Sequence, residues 1–245
     1  MNDPVRVNAV SGEFALWSLG FRPFYLLASS FAALSILLWI CQYTGHLPTA
    51  YLRPPAWHGH EMLYGYTVAV LAGFLLTAVR NWTGRATPAG PMLMALAVLW
   101  VAGRVLVLTP FPFAAAVVNA AFPVAIAIAI GIPLVQSNNR RNYFFIALLL
   151  LLGAAVLALH LSPLGVLPWP ERASLQAGLD VVLFVLAVMG GRVIPMFTNN
   201  GVPGANATRH PWVEKIALGS VLALLGADLL PLPAAWVACL AFAAA

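Results

Sequence analysis

Trp57-His58-Gly59-His60-Glu61, followed by a mostly apolar run and closed by Arg80-Asn81-Trp82-Thr83-Gly84-Arg85, is the stretch that decides what this chain is. An apolar run of about twenty residues crosses a bilayer core of about 30 Å as a helix. Two histidines and a carboxylate stand at one mouth of that helix, two arginines and a tryptophan at the other. Ionisable groups so placed are costly and are kept for a task.

Composition agrees. Hydrophobic residues make up 62% of the 245 and charged residues 8%, against about 25% charged in soluble domains. A mean hydropathy of +0.91 makes lipid the main solvent of the chain. The net charge of +5 is carried by basic residues scattered singly or in pairs. They form no stripe of the kind a polyanion requires, so nucleic acid is excluded as a partner. Retention of Lys and Arg on the cytoplasmic side of a membrane accounts for the same excess. Cys41 and Cys239 lie in or beside apolar runs with no zinc-like spacing, and a lipid-facing or packed thiol is expected for each. Met1 to Ser18 lack a secretory signal pattern, so the first apolar run is expected to stay as a membrane helix. There is no Ser/His/Asp set, phosphate loop or paired-carboxylate site, and hydrolysis is not supported.

Working outward, seven apolar runs reach spanning length, at about 23–43, 59–79, 91–108, 113–135, 143–161, 174–195 and 213–230. An eighth begins at Pro233 and stops at Ala245, too short to cross. The expected fold is therefore all-α, a polytopic transmembrane helical bundle of about seven full spans plus a truncated eighth. Residues 1–245 read as a single membrane domain; the short last run is either re-entrant or, as expected here, cut short because the sequence is the N-terminal part of a longer protein.

Basic residues set the orientation. With the N-terminus in the cytoplasm, that side holds Arg6, Arg22, Arg80, Arg85, Arg140, Arg141, Arg192, Arg209 and Lys215, and the other holds Arg53, Arg104 and Arg172. This bias favours a cytoplasmic N-terminus. His46, His58, His60, Glu61 and His160 then share the outer mouth, with Asp180 and Asp228 near it, while His210 lies opposite.

His58, His60 and His160 are the candidate ligands for a metal or haem, since neutral imidazole binds iron, copper and zinc. On a helix, His58 faces with Glu61 and Met62, and His60 with Tyr64. In extended chain just before a helix, the two histidines would instead share a face. So either one histidine binds and the other supports it, or the pair precedes the helix. Glu61, Tyr64 and Asp180 are read as supporting residues. Asp180 is either paired with an arginine such as Arg104 or serves as a proton or ligand contact. Gly65 and Gly73 either let helices approach closely or leave room for a macrocycle. Arg80, Asn81, Trp82 and Arg85 read as an interfacial anchor on the cytoplasmic side.

Four blocks of the chain resemble the NnrS family: Phe21-Arg22-Pro23-Phe24; Trp57-His58-Gly59-His60-Glu61-Met62; Gly73 to Val79 with Asn81-Trp82-Thr83-Gly84; and Gly190-Gly191-Arg192-Val193-Ile194-Pro195-Met196-Phe197-Thr198-Asn199. The resemblance implies a bacterial inner-membrane protein of about twelve helices, of which this chain would be the first seven or eight. It implies haem and copper as cofactors, nitric oxide or a related small molecule as partner, and a role in denitrification or nitrosative stress. It raises His58 and His60 as metal ligands without deciding which binds what. The competing reading is a transporter or metal-delivery protein that passes an ion along outer-face histidines. A transporter should show broken helices and polar groups near the midplane, whereas the polar groups here gather at one mouth.

Overall fold

Proline is the first residue of the helices that start at Pro54, Pro91, Pro112 and Pro211, because the first turn has no use for the N–H that proline lacks. In this computed structural model, which describes residues 15–48, 50–230 and 234–244, α1 covers Phe21–Tyr43 and α2 covers Pro54–Thr83. They are followed by α3 (Pro91–Leu106), α4 (Pro112–Gln136), α5 (Phe144–Leu161), α6 (Glu171–Gly201), α7 (Pro211–Leu229) and α8 (Ala234–Ala244). No strand occurs among the described residues, and the chain is an all-α helical bundle. Gly84 ends α2 in the left-handed conformation (φ 65°), its N–H bonded to the Arg80 carbonyl, a conformation open to glycine at little cost.

Among the described residues five stretches are long and apolar enough to cross a membrane: α1, α2, α4, Arg140–Leu161 containing α5, and α6. α3 is apolar but has only 16 residues, and α7 carries Glu214, Lys215 and Asp228. The expectation of about seven full spans is thus met by five, with α3 as a shorter apolar helix. Arg6 and Pro233 lie outside the described residues.

Two boundaries differ from the sequence reading. α2 starts at Pro54, not near residue 59, so the histidines lie within its first turns. α6 continues through Pro195 to Gly201. In lipid an unwound backbone leaves polar groups unsatisfied, so a helix is kept through a proline that would break it in water.

α2 is the axis of the bundle. It packs on α1, α4 and α6, and 61% of its apolar window is buried against 17% for α1. Phe24, Leu75, Leu76, Ile126, Ile130 and Leu152 fill the space around it. Between helices in lipid such contacts act through close packing and dispersion, since lipid tails are as apolar as leucine. Leu26, Leu34 and Leu37 on α1 point outward, and Cys41 and Cys239 are also exposed.

Candidate functional site

A wide turn interrupts α2 where its polar residues lie. Glu61–Thr67 is π-helical, and the Thr67 hydroxyl bonds back to the Met62 carbonyl five residues earlier at 2.9 Å. Such π turns recur at functional sites. Here the turn begins directly after His60 and carries Glu61, Tyr64 and Gly65 toward the bundle interior, all three buried.

His60, Glu61 and His160 are fully buried. His160 is in the last turn of α5, a hundred residues from His60, and the two Nε2 atoms face each other at 3.1 Å. Each ring is held by its other nitrogen: His60 Nδ1 lies 3.1 Å from Glu61 Oε1, and His160 Nδ1 lies 2.5 Å from the Tyr51 hydroxyl. Glu61 Oε2 accepts from Arg104 Nη1 at 2.6 Å, and Arg104 Nη2 donates to Asn119 Oδ1. Asn119 in turn donates to the Ala115 carbonyl at 2.8 Å. One polar chain therefore runs Tyr51, His160, His60, Glu61, Arg104, Asn119 through four helices and a loop.

Its chemistry follows from proton placement. Glu61 wants a donor, so a neutral His60 carries its proton on Nδ1 and leaves Nε2 bare. The Tyr51 phenol lies outside the spans, and burial raises its pKa above the ordinary value, so it stays protonated. If it donates to His160 Nδ1, His160 Nε2–H completes the chain by donating to His60. If the hydroxyl turns and accepts instead, both Nε2 lone pairs face one point and a cation is needed between them. The two arrangements differ by rotation of one hydroxyl and by a shift of the His160 proton from Nε2 to Nδ1.

The two full charges of this polar chain, Glu61 and Arg104, match each other. Arg104 is only 8% exposed; besides Glu61 and Asn119 it lies over the rings of Trp100, at 5.6 Å, and Phe31, at 5.9 Å. Trp100 Nε1 donates to the Gly65 carbonyl at 3.0 Å, fixing that ring on the π turn.

Glycines open the space for this chain. A Cβ on Gly65 would collide with Arg104 Nη1 and stand 2.5 Å from Glu61 Oε2. One on Gly103 would stand 3.0 Å from Asn119 Oδ1, and one on Gly178 would collide with the Tyr64 hydroxyl, which donates to the Ser174 carbonyl at 2.6 Å. The room at Gly65 is thus filled by the ion pair and not left for a macrocycle; at Gly73 it is taken by Phe24 and Tyr25. Gly65→Ala is expected to cost about 1–3 kcal/mol by overpacking, read as thermal unfolding in detergent. Gly219→Ala, with nothing within 4 Å, should be neutral, and equal behaviour of the two variants would refute this role for Gly65.

The remaining sequence candidates fall in three places. His58 and His60 both lie in helix, which removes the extended-pair alternative, and they diverge. His58 stacks on Trp39 of α1 with ring centroids 4.3 Å apart, and its buried Nδ1 has no hydrogen-bond partner. Asp180 is buried, but not against an arginine: Gln176 Nε2 donates to it at 3.0 Å, and the charged group acting on it is Asp228. Arg104 is engaged by Glu61 instead. Arg80, Asn81, Trp82 and Arg85 lie at the opposite end of α2. Trp82 stacks on Phe145 at 5.7 Å, while Arg80, Asn81 and Arg85 are exposed. Tyr51 and Asn119 join the site without being among the residues expected from sequence. Asn119, a lone amide inside an apolar helix, was a visible signal; Tyr51 had none.

A multi-pass helical membrane protein with a charge-matched histidine pair at one end of its bundle is the class these observations define. The model of the NnrS protein family matches residues 15–245, and the chain belongs to the NnrS family. No curated protein and no solved structure matches it.

Proposed function

We propose that this protein is a copper-binding membrane protein of the nitric oxide response, with His60 and His160 holding the metal and His58 outside that pair. The observation that carries the reading is the pair itself: two buried imidazoles aim Nε2 at one point while a carboxylate and a phenol orient their other nitrogens. Ligating histidines are commonly supported in this manner, and imidazole suits copper. Metal–nitrogen bonds of about 2 Å reach a common point from two atoms 3.1 Å apart. Among the described residues this site offers the ion two imidazole ligands, His60 and His160. When bound there, copper supplies a centre to which nitric oxide can coordinate.

Haem does not fit between His60 and His160. Their nitrogens lie within hydrogen-bond distance of each other, and the adjoining space at Gly65 is occupied by Arg104 and Glu61. His58, with its unpartnered Nδ1, is the histidine of this group left for a haem.

Nitric oxide is small, neutral and soluble in lipid, so it reaches a buried site without a polar channel. Leu75, Leu76, Ile126, Ile130 and Leu152 close the core beyond the polar chain, which supports a binding site over an ion path and disfavours the transporter reading. The basic bias supports a cytoplasmic N-terminus in a bacterial inner membrane, with the histidine end outward. In that orientation Arg80, Asn81, Trp82 and Arg85 anchor α2 at the cytoplasmic interface.

Elemental analysis of detergent-purified full-length protein, with optical and electron paramagnetic resonance spectra before and after nitric oxide, tests the proposal. Copper bound in stoichiometric amount, with a spectrum that changes on adding the gas, is expected. Protein that retains no copper after purification in metal-replete medium would refute it.

A further inference from the structure

The Gly190 to Asn199 block plays no part in the histidine site, and it builds a second feature at the opposite end of the bundle. Gly191 and Arg192 of α6 border a cavity of about 270 Å³ between α6 and α7, together with Arg141 from before α5 and Arg209 from before α7. The wall below this rim is apolar, formed by Ala187 and Val188 on α6 and by Val213, Ala217 and Leu218 on α7.

Charge at the rim is unbalanced. Arg192 Nη1 donates to Asn142 Oδ1 at 2.7 Å, and the charges acting on Arg192 are Arg141, Arg209 and the single carboxylate Glu214. Glu214 is taken up by Arg209 through both of its oxygens. Arg141 and Arg192 both line the cavity, and its one lining carboxylate, Glu214, is bonded to Arg209. Like charges brought together beside low-dielectric walls repel strongly, and an anion between them removes the repulsion. Close by, Lys215 lies 5.0 Å over the ring of Trp212, an exposed side chain of the kind that marks a headgroup level.

We propose that this slot binds an anionic glycerophospholipid of the surrounding membrane, its headgroup phosphate on Arg141 and Arg192 and an acyl chain along the α6–α7 wall. Basic pockets between membrane helices take such headgroups, and arginine forks match phosphate oxygens in pairs. A free phosphate would satisfy the rim but leave the apolar wall uncovered, which is why a lipid is the better occupant. This inference is independent of the copper proposal.

The test uses purified protein in a neutral detergent, with thermal unfolding and native mass spectrometry under titration by phosphatidylglycerol, phosphatidylcholine or inorganic phosphate. Phosphatidylglycerol alone should bind and raise the melting temperature. Arg141→Gln, an exposed position, should weaken that binding about five-fold, the worth of one basic residue beside an anionic lipid. Glu214→Gln, which frees Arg209, should strengthen it by a similar factor. A merely structural rim predicts instead that Glu214→Gln lowers stability and leaves lipid selectivity unchanged. Equal response to phosphatidylcholine, an equal response to inorganic phosphate, or an Arg141→Gln variant with wild-type binding would each overturn the proposal. If Arg192→Gln fails to fold, the other two variants still decide the matter.

Discussion

Alanine at His60 or at His160 is expected to take bound copper to background, while alanine at His58 should leave it unchanged. The asymmetry is the point of the experiment, because His58 and His60 are two residues apart and look equivalent in sequence. His60 and His160 face each other at 3.1 Å, whereas His58 is turned onto Trp39. The supporting residues should give a graded effect. Glu61→Gln weakens the acceptor that holds His60 Nδ1, and Tyr51→Phe removes the hydroxyl that holds His160 Nδ1; loss of such support commonly lowers metal affinity by about 10–100-fold. Competition with a copper chelator, on variants whose helicity by circular dichroism matches the parent, reads both effects. Copper retention by His60→Ala equal to that of the parent would exclude the pair as the metal site. Loss in the His58 variant alone would move the site to the α1–α2 contact.

The second large effect concerns stability. Arg104→Met should destabilise the protein by about 3–5 kcal/mol, because it leaves the Glu61 carboxylate buried without its cation. The double variant Glu61→Gln with Arg104→Met should recover much of that loss, since an ion pair replaced as a unit is often close to neutral. Asn119→Ala, which strips one acceptor from Arg104, should cost about 1–3 kcal/mol. Thermal or denaturant unfolding in one fixed detergent measures the series. If the single and double variants lose the same stability, Glu61 and Arg104 are not coupled, and the charge-matched chain is wrong in its central link.

Much of the architecture could be read along the chain. Long apolar runs, prolines at their starts and glycine at the end of α2 depend on local covalent preferences and on length against bilayer thickness. For that reason the bounds of α3, α4 and α5 came within a few residues. Where local preference met the demand of the bilayer, the bilayer prevailed: α6 passes through Pro195 because an unwound backbone is costlier in lipid than one missing hydrogen bond. α2 starts at Pro54, ahead of the apolar run that begins near residue 59, because proline suits a first helical turn whether or not apolar residues follow directly.

The site was only partly visible. His58, His60, Glu61 and Tyr64 could be named because they are neighbours in sequence, and the helical rule correctly grouped His60 with Tyr64, whose rings lie 5.8 Å apart. Which carboxylate takes Arg104 is not fixed by sequence, because Glu61 and Asp180 are both expected at the same end of the bundle.

Sequence by itself determined that this is an all-α membrane protein, which residues carry charge inside it, and at which end of the bundle the histidines gather. The last follows because successive spans must alternate in direction. Only the tertiary structure decided that His60 meets His160 and not His58, that Glu61 and not Asp180 takes Arg104, and that Gly65 makes room for that ion pair. Those choices rest on helix rotation and on a π turn that shifts register by a fraction of a turn. Such displacements are set by how whole helices pack, and no local run of residues encodes them.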